Sequence, residues 1–94
     1  MADDFATLPN LGPKSNAALR AAGIESVEQL RALGAVGAYL AVKRIASEIG
    51  FAPSLNLLWA LEGALSQRSW QAVARDDRLS LLMQLEQAEQ ERQP

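Results

Sequence analysis

Ninety-four residues, 49% hydrophobic and 21% charged, suit one compact domain with a modest core. Cysteine and histidine are both absent, which excludes a disulfide framework, a Cys/His zinc site, and thiol or imidazole catalysis. Nine Lys+Arg against eleven Asp+Glu give a formal charge of −2, too little positive field to wrap nucleic acid or coat a membrane.

The chain opens on Met1-Ala2-Asp3-Asp4, which is no signal peptide, and no later apolar run approaches the ~18 residues of a membrane span. A soluble, cytoplasmic protein is expected, with residues 1–6 frayed. Leu8-Pro9-Asn10-Leu11-Gly12-Pro13 reads as a tight apolar turn. Pro13 then suits the first position of a helix, where its missing N–H would lack a partner anyway. That helix runs to Ala22; Gly23 follows as a left-handed cap, with Ile24 folding back as its hydrophobic contact. Ser26 and, three residues on, Gln29 form a capping-box pattern. The second helix carries Val27, Leu30 and Leu33 on one face and stops at Gly34.

A third helix, Ala35 to Ile49, sets Ala38, Val42, Ile45 and Ile49 in one stripe, with Lys43 and Arg44 beside it towards solvent. Gly50 caps it and Pro53 prevents its continuation. Ser54 caps a fourth helix, Leu55 to Leu65, that is apolar nearly all the way round and therefore belongs at the centre. Trp70, in a short polar stretch, is the candidate anchor of the next connection. Asp76-Asp77 open a last helix with acid at its positive end, and Leu81, Leu82, Leu85 and Ala88 make its core stripe. Residues 90–94 should fray. The expected fold is all-α: a compact five-helix domain spanning residues 1–94.

The segment Leu8 to Ser15 resembles the hairpin of helix-hairpin-helix DNA-binding modules: apolar, two spacers, apolar, Gly, any residue, then Lys or Arg. Gly12 lets the backbone turn close to a ligand, and the N–H groups of Lys14 and Ser15 point from the positive end of a helix. Gly12, Lys14, Ser15 and Arg20 are thus candidate phosphate contacts. The competing reading is a Pro-Gly turn that simply starts a helix. Charge distribution bears on the choice, because acids are missing from residues 5–24, 29–47 and 63–75. Those windows hold Lys14 and Arg20, then Arg31, Lys43 and Arg44, then Arg68 and Arg75. Few of these cations can share a face, so any DNA contact is weak and salt-sensitive, and solvated helix faces account for each alone. Only Asp3 to Leu8 is available for the helix that should precede the hairpin.

Asn56 and Glu62 are the polar residues of the central helix. If buried, both need partners: Glu62 an arginine such as Arg31, Arg44 or Arg68, and Asn56 loop backbone. A structural polar bridge is favoured there over a ligand site. Ser54, Ser66 and Ser69 have no histidine to activate them. Lys14 and Ser15 are poorly placed as a dyad, since adjacent helical residues diverge by about 100°. No enzyme activity, no cofactor and no metal are expected.

Four ordered blocks go beyond these local readings: Leu8 to Ser15, Gly23 to Leu30, Leu33-Gly34-Ala35-Val36-Gly37-Ala38-Tyr39, and Leu55 to Leu65, with Trp70 after them. Together, over residues 5–85, they resemble the C-terminal domain of TfoX/Sxy proteins, which is expected here to stand alone. The resemblance implies a small SAM-like or helix-hairpin-helix-like helical fold. It also implies a link to bacterial regulators of competence that act on transcription. In two-domain members an α/β domain precedes this one, so an N-terminal TfoX-like domain is an expected partner, and a homo-oligomer is a second expectation. The resemblance supplies no catalytic residues. Two functions follow: a non-enzymatic regulatory domain with weak DNA phosphate contact through residues 8–15, or a protein–protein interaction module that binds no nucleic acid.

Overall fold

The computed structural model of the chain describes residues 11–51 and 53–92. Pro13 opens α1 (Pro13–Ala21), and the helix ends where Gly23 takes a left-handed backbone, φ +90°. The Gly23 N–H donates to the Arg20 carbonyl at 3.0 Å and the Ile24 N–H to the Leu19 carbonyl at 2.9 Å. These paired bonds satisfy the last carbonyls of the helix and turn Ile24 into the core, where it is buried. At α2 (Val27–Arg44) the Ser26 hydroxyl accepts from the Gln29 N–H at 3.1 Å. The Gln29 side chain reaches back past Ser26 to accept from the Glu25 N–H at 2.6 Å, one residue earlier than a capping box requires.

Gly34 divides α2 into two arms, residues 27–33 and 35–44, by adopting φ 76° and ψ 170°. Only glycine enters that region readily. A helical turn, α3 (Ala46–Ile49), follows after Ile45 and closes on left-handed Gly50. The helix expected from 35 to 49 is thus an arm plus a separate turn. Leu33 and Ile49, expected on core stripes, are exposed: Leu33 immediately precedes the break, and α3 buries none of its residues.

At the centre lies α4 (Leu55–Ser66), with seven residues from Leu57 to Ala64 buried. It packs on α2 and on α5 (Trp70–Asp76), while α6 (Arg78–Arg92) closes against α2 and α5. Leu58 and Leu61 of α4 are fully buried with Leu19 of α1, Leu30 and Val42 of α2, and Val73 of α5. On α6, Leu81 and Leu85 enter the core and Leu82 and Ala88 pack against it.

The described residues hold six helices and no strand, so the all-α expectation stands with one helix more than anticipated. The addition is α5, which the sequence presents as a polar connection. The Ser69 hydroxyl accepts from the Ala72 N–H at 3.1 Å, capping it, and Val73 pins it to the core. Asp76 consequently ends α5, and Asp77 alone precedes α6. Among the described residues no helix is long and apolar enough to cross a membrane.

Candidate functional site

Leu8, Pro9 and Asn10, the first half of the sequence hairpin, lie outside the described residues, as does the stretch 1–6 expected to fray. The second half is the start of α1. Gly12 is its extended N-cap, φ −95° and ψ −175°, and supplies no side-chain cap. Pro13 occupies the first helical position, so the first-turn amides are those of Lys14 and Ser15. Gly12 and Lys14 are exposed and Ser15 is half-buried. Arg20 is in the last turn of the same helix, about 9 Å along the axis from Lys14 at 1.5 Å per residue. The structure therefore brings Gly12, Lys14 and Ser15 together and leaves Arg20 at the opposite end, where its charge faces the negative pole of the helix.

Several other cations are matched within the fold. Lys43 on α2 donates to Glu89 on α6 at 3.0 Å, and this bond, reinforced by the carboxylate charge, raises the ammonium pKa. Arg68 forms an ion pair with Asp77 and lies 3.8 Å from Glu62. Arg75 pairs with neighbouring Asp76 at 3.0 Å, a hydrogen bond that lowers the Asp76 pKa. Arg31 and Arg44 are exposed and form no ion pair among the described residues. Of the acid-free windows, 29–47 thus receives a distant carboxylate at Lys43, and the two arginines of 63–75 pair with carboxylates at that window's edges.

Of the two polar residues singled out on α4, Glu62 is half-buried beside Arg68. Burial raises its pKa, Arg68 opposes that rise, and the Asp77 charge adds to it. Asn56 is exposed near the start of the helix, so it has no burial to compensate. Ser54 is the extended N-cap of α4, yet its hydroxyl makes no capping bond.

Two shallow clefts adjoin the start of α1. The larger, about 430 Å³, has buried Leu57 and Ala60 as its apolar wall, with Ser15, Ser54, Asn56 and Trp70 around them. The smaller, about 300 Å³, lies between Lys14, Ala17 and Ala18 of α1 and Ile49-Gly50. Phe51 borders both, and among the described residues no carboxylate lines either. Trp70 is 38% exposed and lines the larger cleft as well as opening α5. Sequence reasoning marked Trp70 as an anchor but gave Phe51 and Leu57 no role in a site. The signal lay in their positions around Pro53, where the chain turns from α3 into α4 and both aromatics meet one surface.

Among the described residues no group of three or more carboxylates gathers as a metal site would require. A family model described as the TfoX C-terminal domain matches residues 1–85. Neither a curated protein nor a solved structure gives a significant match.

Proposed function

The chain belongs to the TfoX C-terminal domain family, and on that premise we propose that it is a non-enzymatic regulatory domain linked to bacterial competence and transcription control. It works by contact: a DNA phosphate is received at the start of α1. The supporting observation is that this helix begins on an exposed glycine without a side-chain cap, with exposed Lys14 in its first turn. Amides at the positive helix end and an adjacent ammonium together suit a phosphate oxygen. The first turn of α1 offers one ammonium and one set of free amides, which confines the contact there to about two phosphates. Affinity for a random duplex should therefore fall only about tenfold between about 50 and about 200 mM salt. Lys14→Glu should abolish the low-salt binding. Absence of binding at low salt, or binding indifferent to Lys14, overturns the DNA reading.

A second reading, protein docking without nucleic acid, is favoured by the larger cleft. Its half-exposed Trp70 and neighbouring Phe51 supply the aromatic surface on which protein contacts concentrate. The partners it suits include an N-terminal TfoX-like domain. Sedimentation at micromolar concentration would reveal self-association as a third use of the same surface.

A further inference from the structure

We propose that the larger cleft is a docking site for an acidic protein segment that presents one apolar side chain beside a carboxylate. The proposal rests on the protein-docking reading and names the chemistry of the partner.

The argument begins with what surrounds the apolar wall. Ser54, Asn56 and Leu57, at the start of α4, line the cleft, and Ser15 brings in the first turn of α1. The starts of both helices, their positive ends, therefore border this surface. Neither end is satisfied by its own sequence: Gly12 offers no side chain, the Ser54 hydroxyl makes no capping bond, and neither first turn contains an acid. The start of α5 behaves differently, since Ser69 caps it from within. Lys14 adds a full charge next door, across Phe51, and among the described residues no carboxylate lines the cleft or its neighbour.

Charge thus favours an anion, while Leu57, Ala60, Phe51 and Trp70 favour an apolar group in the same space. A DNA backbone offers the first without the second. A protein segment with an aliphatic or aromatic side chain next to Asp or Glu offers both. The cleft, about 430 Å³, falls within the ~300–1,000 Å³ range in which binding pockets operate.

The test uses the whole chain and two blocked synthetic peptides, acetyl-Asp-Leu-Phe-Glu-amide and its neutral analogue acetyl-Asn-Leu-Phe-Gln-amide. Binding is followed by NMR at millimolar peptide, read at the Trp70 indole and the Ser54 and Leu57 amides. The acidic peptide should shift these signals and bind at least about fivefold more tightly than the neutral one. Asn56→Asp provides the discriminating variant. An acid in the first turn of α4 favours the helix, so folding is retained, while the like charge should weaken the acidic peptide at least about fivefold. Equal binding of both peptides at the cleft overturns the acidic assignment and leaves the protein-docking reading in place. No cleft response to either peptide overturns both. Displacement of the peptide by a DNA duplex, or concentration-dependent shifts at Trp70 without peptide, assigns the cleft to nucleic acid or to a second copy and overturns the proposal.

Discussion

Glu62 sits half-buried on α4 with Arg68 at 3.8 Å, and its pKa is nonetheless raised because burial outweighs the arginine. A raised carboxyl pKa means the folded chain holds this proton more tightly than the unfolded chain. The ionised carboxylate therefore costs stability at neutral pH, and the cost fades as pH falls through the folded pKa towards the ordinary carboxylate range. Glu62→Gln should stabilise the protein by less than about 1 kcal/mol at neutral pH and by nothing at about pH 3. Urea unfolding at the two pH values checks this. A loss of stability at neutral pH would mean that Arg68 attraction exceeds the burial cost. In the sequence, three arginines stand open as partners for Glu62, because spacing along one helix does not reveal which distant cation returns to it. Arg68 returns because Gln67 takes a left-handed backbone, φ 62°, and the Arg68 N–H then closes on the Gly63 carbonyl at 2.8 Å.

The elements turn on their boundary residues, and Gly34 shows this most clearly. A Cβ added there meets no atom within 4 Å, so substitution probes the backbone alone. In a continuous helix Gly→Ala would gain about 1 kcal/mol. At φ 76° and ψ 170° it should instead cost about 1–3 kcal/mol in thermal or chemical unfolding. Stabilisation would show that the fold does not impose the break. Gly23, Ser26, Gly34 and Gly50 are legible in sequence because each boundary depends on one residue's own conformation or hydroxyl. The helix α5 is not: its seven residues bury only Val73, too little for a periodic stripe, and its stability depends on packing against α4. Lys43 and Arg44 mark the last turn of α2, yet the sequence assigns them to a longer helix, since apolar periodicity continues through Ile45 to Ile49.

The molecule as a whole is organised around α4, whose Leu58 is fully buried. Leu58→Ala should cost about 3 kcal/mol through lost transfer energy and the cavity left behind. Leu79→Ala, on a residue 72% exposed, should stay within about 0.5 kcal/mol. Comparable losses in the two variants would contradict the central position of α4. That position is readable from composition alone, because a helix apolar on every side needs neighbours on every side. The clefts are not, because Ser15, Phe51, Leu57 and Trp70 come from separate segments and only their packing makes a surface. The pairing of Lys43, Arg68 and Arg75 with carboxylates of the same chain also has a kinetic consequence. Opposite charges held a few ångströms apart cancel at a distance, so these three pairs send little field towards an approaching partner. Their cations therefore do not lift encounter above the unsteered rate, about 10⁵–10⁶ M⁻¹s⁻¹, and steering is left to the cations outside these pairs.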